Sequence, residues 1–443
     1  MRVVAVDAGA GSVRLLAVRL SAERLEIERQ SAFATPWYDD GRFERWDLRA
    51  VVEGIRNGLA DAGEFDSWSV DTWGVDFGLL DEQGRPIADP IRYRDLSHEA
   101  GRRAMDERIG RERLYSRTGI QPHSFNTAAQ LMARRLRGDE ELAQAKRLLF
   151  LPDLIHELVG GKAQTAERSI ASTSELLGLD GEWCGEVCDA IGVRNLLPAI
   201  CAEGRQSDGV RTLGHDTACA VLAAPGEGDD WAYISSGTWS LVGVELEHPI
   251  ATPEAMQAGF TNERGYGGSV RFLKNVMGLW LLERARGERP IEQCLAEAER
   301  AEPTGVHFDV NHPSLLNPDD MAAAIRALAD GPLGSEAALY RCILENLASA
   351  YAEAIAQVER LTGKAVQRIH VVGGGCRNRL LNELTAQATG KPVILGPVEA
   401  TAVGNALVQL AALRGVPDSL HELRAVVRRS FRLETVEPKG GAG

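Results

Sequence analysis

Along "VRLLAVRL" (Val13 to Leu20) both alternating rows are largely apolar, the pattern of a strand covered on two faces. The first forty residues read as strands of this kind. "DLRAVVEGIRNGLADAG" then changes period: Leu48, Val51, Val52, Ile55 and Leu59 fall on one stripe of an amphipathic helix. "SWSVDTWGVDFGLLDEQGRPI" predicts two strands and a turn at Glu82–Gly84, and residues 96–205 read as mostly helical around an apolar strand near Leu148–Leu151.

A second half opens near residue 230. "WAYISSGTWSLVGVE" is strand, small-residue turn, strand, which echoes the opening "VVAVDAGAGSVRLLAV". Leu339, Ile343, Leu347, Tyr351 and Ile355 lie four apart and predict a long helix over 335–361. "RIHVVGGGCRNRLLNELTAQATG" is strand, triple glycine, then a helix that Asn378 can cap, and the strand–helix alternation continues through "KPVILG" and "VEATAVGNALVQLAAL". The tail "VEPKGGAG" is expected to fray. The pattern predicts two α/β halves, 1–226 and 227–443, on either side of a cleft, each opening on a hairpin of small residues.

Composition narrows the function. The 443 residues suffice for two or three domains, and 44% hydrophobic with 25% charged residues suits a globular chain. A net charge of −14 repels nucleic acid and anionic membrane surfaces, so a nucleotide would need a metal ion and backbone dipoles. No run of eighteen apolar residues is present, and Asp7 interrupts the opening run too early for a signal-peptide core. Seven cysteines without a CxxC pair suggest a reducing cytoplasm.

Gly9-Ala-Gly11 is not a dinucleotide fingerprint, because position 14 is arginine and a strand, not a helix, follows. No GxxxxGK[ST] occurs, and "DFG" at Asp76–Gly78 lacks the rest of a protein-kinase set and is taken as chance within a strand. What remains is a tight hairpin whose N–H groups can meet anionic oxygens, with Asp7 at its lip. An acid beside phosphate makes sense when Mg²⁺ lies between them, since Mg²⁺ takes one or two carboxylates plus phosphate oxygens. An ordinary small-residue turn is the alternative, and the second hairpin, "SSGTWS", tips the balance towards a nucleotide.

In "LGHDTACAV", Asp216 stands at or near a helix start. It is either an N-cap or a base that receives a hydroxyl proton in phosphoryl transfer. His215 is either a substrate hydrogen bond or part of the loop. Gly373–Gly375 is a flat bed for adenine and ribose or a tight turn. Trp73 beside Gly74 is a platform for a sugar or a piece of core.

Taken in order, "VDAGAGSVR", "DTWGVDFGLLD", "YRD", "GIQPHSFNT", "LPDL", "GHDTACAV", "YISSGTWSLVG", "LKNVMGLWLLER" and "GGGCRNRLLNELTAQATGKPV" resemble the FGGY family of carbohydrate kinases along nearly the whole chain. The resemblance implies an actin-like ATPase (ribonuclease H-like) α/β fold of two domains flanking a cleft. It also implies ATP as cofactor and a small sugar as substrate, beside the Mg²⁺ expected from Asp7 and the absence of nucleic-acid or membrane partners expected from the charge. The motifs are nearest to the branch that phosphorylates the primary hydroxyl of L-rhamnulose. Another ketose or polyol (fuculose, xylulose, glycerol) is the alternative, and a non-catalytic binding module a third. By residue, the resemblance makes Asp216 the base and sets Gly74, His215 and Thr217 at the sugar, beside the Trp73 platform already read from the residues. It sets Ala10, Gly11, Ser12, Val13, Arg14 and Thr238 at the ATP phosphates and Asn275 and Gly373–Gly375 at the nucleotide, while Asp7 stays the metal ligand that the hairpin itself predicts. Two positions depart from the family pattern: Val13 stands where the first loop usually has glycine, and Glu283 where a glutamine is often found.

Overall fold

The structure, a computed structural model, describes residues 1–160, 164–206 and 209–439. Residues 161–163 of the expected helical stretch and 440–443 of the expected frayed tail lie outside them. The chain divides into two compact units, but not at a single cut near 226. The first unit combines Met1–Ala223 with Glu245–Phe272 and Thr401–Ser430, and the second holds Ala224–Val244, Leu273–Ala400 and Phe431–Gly443. The two returning segments explain why a linear division misplaces part of the chain. Helix Ala400–Ala412 buries Ala402, Val403, Ala406, Leu407 and Leu410, and so joins the core of whichever unit it packs in.

In the first unit, strand Arg2–Ala8 pairs antiparallel with Ser12–Ser21, which pairs with Arg24–Ala34. On its other side Arg2–Ala8 pairs parallel with Ser67–Thr72. Val3, Val4, Val6, Val13, Leu16 and Val18 are fully buried, as the doubly apolar pattern requires. Helix Leu48–Ala62 buries the predicted stripe of Leu48, Val51, Val52, Ile55 and Leu59, each about 2 kcal/mol of burial when fully covered. Its Gly54 and Gly58 each cost about 1 kcal/mol in helix propensity. A Cβ at those positions would lie 2.5 Å from the Phe33 ring and 2.7 Å from Leu15, so the glycines let the helix lie close on the sheet.

The second unit repeats the plan. Trp231–Ser236 and Trp239–Leu246 form an antiparallel hairpin, and Arg368–Val372 pairs parallel with Trp231–Ser236 on the other side. The sheet continues to Val393–Leu395 and Glu434–Val436 on one side and, beyond Trp239–Leu246, to Val270–Met277 on the other. Helix Glu336–Thr362 starts where Ser335 accepts from the Ala338 N–H and stops at Gly363 in the left-handed region. The five expected core residues, Leu339, Ile343, Leu347, Tyr351 and Ile355, are buried on it. In each unit, then, the loop after a parallel strand lies beside a hairpin turn, the place where open α/β sheets receive ligands.

Candidate active site

In the first unit the register does the assembling. Asp7 is opposite Arg14 across the hairpin and opposite Asp71 across the parallel pair. Arg14 forms an ion pair with Asp7 Oδ2. Asp71 is fully buried, and its Oδ2 accepts a 2.6 Å hydrogen bond from Asn405 Nδ2. Burial first, and then the adjacent Asp7, push the Asp71 carboxyl well above the usual carboxylate range, against the pull of Asn405. Sequence reading passed over Asp71, because one aspartate in an apolar strand carries no signal of the acid beside it.

The "GHDT" loop is tied to the same strand ends. Thr72 donates its N–H to Gly214 O at 2.9 Å, while Gly214 N–H donates to Glu167 Oε2 at 2.6 Å. Ser169 Oγ holds the His215 N–H at 3.2 Å and itself donates to Glu167 Oε2 at 2.5 Å. Glu167 is thus a buried clasp for the loop, and burial pushes its carboxyl up to about 7, with Glu203 adding to the rise. The helix starts at Asp216, so His215, not Asp216, occupies the cap position, without a side-chain cap bond. The capping role weighed for Asp216 is therefore corrected. Its Oδ1 accepts instead from the Thr217 N–H at 2.5 Å and Thr217 Oγ1 at 3.1 Å, and the side chain keeps 27% exposure. That exposure distinguishes it from Asp7 and Asp71: of the three acids, Asp216 is the one whose carboxylate a solvent-borne hydroxyl can reach.

Gly74 lies at the end of the parallel strand, and Val75 beside it has φ 70°, a strained conformation for a β-branched residue. The strain is held by the Val75 N–H to Thr173 Oγ1 (3.1 Å) and by Thr127 Oγ1 donating to Val75 O (2.6 Å). Trp73 belongs to the core: its ring is 4.5 Å from that of Trp46, and its Nε1 donates to Asp76 Oδ2 at 2.8 Å. Asp76, read as a chance match within a strand, precedes the strand and gathers both indole N–H groups; burial raises its carboxyl to about 6. In the first hairpin only Gly9–Gly11 form the turn. Ser12, Val13 and Arg14 already lie in the strand, with the Val13 side chain fully buried opposite Ala8. Valine fits this position because it faces core, and it has no side-chain atom to offer a phosphate.

In the second unit Thr238 sits in the hairpin turn, and its carbonyl accepts from the Gly278 N–H at 3.2 Å. Half-buried Asn275 lies on Val270–Met277. Gly373 has φ 85° and sits against Ser236 O, a Cβ on Gly375 would fall 2.0 Å from Ser236 Oγ, and Gly374 faces open space. The triple glycine and the second hairpin therefore fit together within this unit. Glu283 forms an ion pair with Arg286. Asn378 accepts from the Leu381 N–H, the cap expected of it.

Among the described residues, no group of three or more His, Cys, Asp or Glu is arranged to hold a metal ion. Mg²⁺ needs fewer protein ligands, because waters and phosphate oxygens complete its shell. The Asp7–Asp71 pair, with the buried Asp71 Oδ1 lacking a hydrogen-bond partner, suits that donor set.

Residues 3–214 match the N-terminal domain, and residues 232–413 the C-terminal domain, of the FGGY family of carbohydrate kinases. A rhamnulokinase of Bacillus subtilis (strain 168) is 35% identical, covering 98% of this chain and 95% of its own. A rhamnulokinase of Enterococcus faecalis is 36% identical over 97% and 93%. Among solved structures, a ligand-bound xylulose kinase from Lactobacillus acidophilus superposes with a TM-score of 0.83 over 99% of this chain and 94% of that one, at 15% identity, a likeness of fold.

Proposed function

The chain belongs to the FGGY family of carbohydrate kinases, and from that premise we propose that its acceptor is L-rhamnulose, phosphorylated at the primary hydroxyl to the 1-phosphate. It is a sugar kinase with the actin-like two-domain fold, and its cofactors are ATP and Mg²⁺. The observation that carries the substrate is the identity of 35–36% with two rhamnulokinases over nearly the full length.

Asp216 is the base in this reading. The Thr217 hydrogen bonds hold Oδ1, so the carboxylate is oriented before the sugar arrives. A loose phosphoryl transition state asks mainly for orientation and late proton acceptance, which a carboxylate at a helix start can supply. His215, Thr217 and Gly74 receive the sugar, and the backbone turn at Gly9–Gly11 approaches phosphate. Thr238, Asn275 and the open face at Gly374 receive the nucleotide. Mg²⁺ held by Asp7, with Asp71 behind it, would neutralise phosphate charge. The seven cysteines are free thiols, consistent with a reducing cytoplasm.

Two measurements test the reading. ADP release is followed with L-rhamnulose, L-fuculose, D-xylulose and glycerol; the first should give the highest kcat/KM, and a preference for any other replaces it as the substrate. Asp216→Asn should lower turnover roughly a hundredfold or more, the scale of a positioned base, with KM for ATP little changed. Wild-type turnover in that variant removes Asp216 from the chemistry.

A further inference from the structure

His215 has neighbours that the sequence motif does not include. Arg271 is fully buried, and its Nη2 hydrogen-bonds His215 Nδ1 at 3.0 Å. The guanidinium is itself fixed: its Nε donates to Arg264 O at 3.1 Å, and Nη2 lies 3.0 Å from Glu263 Oε2. Glu263 supplies the compensating charge that a buried arginine needs. Burial works to raise the Glu263 carboxyl, but Arg271 and then His215 outweigh it and hold it below the ordinary range. On the other edge of the ring, His215 Nε2 lies 3.3 Å from Asp216 Oδ1.

A guanidinium has only donors and keeps its proton at any ordinary pH. The nitrogen facing it at hydrogen-bond distance must therefore offer a lone pair. A neutral imidazole carries one proton, so that proton is on Nε2. The far edge gives the same answer, since an Nε2 lone pair would face a carboxylate oxygen at 3.3 Å whereas an N–H faces it favourably. A proton on Nδ1 could point to Glu263 Oε2, 3.2 Å away, but would set two donors against each other across the 3.0 Å contact with Arg271.

We propose that Arg271, neutralised by Glu263, is a positioning residue that fixes the tautomer of His215, so that the ring meets the acceptor sugar as an Nε2–H donor beside Asp216. The inference rests on the reading of His215 as a sugar contact, but the tautomer does not depend on which sugar is used. The fixed donor selects an oxygen lone pair at the sugar position it faces. In the empty enzyme it steadies the Asp216 carboxylate.

The test is a two-bond proton–nitrogen correlation spectrum of the enzyme labelled with ¹⁵N-histidine, recorded without substrate, with the His215 signals assigned by their loss in His215→Asn. A pure Nε2–H pattern is expected; an Nδ1–H or doubly protonated pattern at pH 7.5 overturns the proposal, whatever the sugar panel shows. In Arg271→Met the ring should become a mixture of tautomers and KM for the sugar should rise about tenfold, with KM for ATP unchanged. Arg271→Lys, which restores a donor, should recover part of both. A folded Arg271→Met that keeps the pure Nε2–H pattern removes Arg271 from this role. Should that variant fail to fold, the wild-type spectrum still decides the tautomer, and Arg271→Lys decides the role of the arginine: a mixed pattern with unchanged sugar KM would refute it.

Discussion

Replacing Gly404 by alanine should harm the enzyme although alanine is the better helix former. On an isolated helix the change would gain about 1 kcal/mol. Here a Cβ would fall 1.9 Å from Cys219 O, 2.6 Å from Cys219 C and 2.9 Å from its Cα, all backbone of the helix that Asp216 begins. Ordinary contact starts near 3.4 Å, so a gap of roughly 1.5 Å must open, and no rotamer change can open it. Helix Ala400–Ala412 cannot simply withdraw. Asn405 donates to Ser69 O at 3.2 Å and to Asp71 Oδ2 at 2.6 Å, and Gln409 donates to Val4 O at 3.0 Å. Withdrawal would give up these bonds at about 1 kcal/mol each and would leave Asp71 buried without them.

The alternative is that helix Asp216–Leu222 moves and takes Asp216 with it. Misplacing a reacting group by about 1 Å costs on the order of a hundredfold in rate. We therefore expect Gly404→Ala to lose at least tenfold in kcat at saturating sugar and ATP. Strain of about 1–3 kcal/mol should lower the melting temperature by several degrees, at roughly 2–4 °C per kcal/mol. Steady-state turnover and scanning calorimetry on one preparation measure both. A variant with wild-type kcat and melting temperature would refute the reasoning, because it would mean that the two helices are not in backbone contact.

Gly374→Ala adds a Cβ that meets no atom within 4 Å, so stability should stay within about 0.5 kcal/mol while KM for ATP rises several-fold; an unchanged KM takes the triple glycine out of the nucleotide site. Glu167 has a folded value of about 7, above its ordinary 4.5, so the stability it contributes is full below about 4.5 and is lost as pH rises through 7. Glu175, also raised to about 7, shares that sign, while His98 and His123, lowered from 6.5 to about 4, have the opposite sign and their gain tails off as pH passes 6.5. From pH 6.5 to 8 the wild-type melting temperature should therefore fall, and Glu167→Gln should fall less steeply; equal slopes would show that Glu167 does not titrate there. Asp7→Asn should raise the Mg²⁺ concentration needed for half-maximal turnover with the fold retained, and full activity in excess chelator would end the metal assignment.

Local features were legible and long-range ones were not. The stripe of helix Leu48–Ala62, the two hairpins and the Asn378 cap follow from residues within one or two turns of each other. The burial of Asp71 beside Asp7 depends on a parallel pairing across more than sixty positions, and its anchor Asn405 is 334 positions away. Glu167 clasps Gly214 across 47 positions, and Arg271 reaches His215 across 56. No periodicity carries such information. Asp216 was placed correctly at a helix start, but the cap is the residue before it, because His215 is drawn into a β-bridge with Thr72 and takes the extended backbone that a cap position needs.

The repeated topology also explains how so acidic a chain can serve a nucleotide. Two residues before the turn glycine of each hairpin, the first unit has Asp7 opposite Asp71, whereas the second has Ser235 opposite Val372. One step further on, the first unit continues into Thr72, Trp73 and Gly74, and the second into the triple glycine. The paired carboxylates thus stand in the unit proposed to hold the metal and accept the proton, and have no counterpart at this place in the other. The equivalent surface of the other unit, Ser235 to Thr238 with Gly373–Gly375, contains no acid at all. Repulsion between carboxylate and phosphate falls off within a Debye length of about 8–10 Å at ordinary ionic strength, so what matters is the charge at this surface and not the total of −14. A carboxylate placed there tests the point. Thr238→Asp keeps nearly the volume of threonine and should raise KM for ATP steeply at low salt and less at high salt, while KM for the sugar stays put. If its effect on ATP did not depend on salt, charge exclusion would not be the reason this surface is neutral.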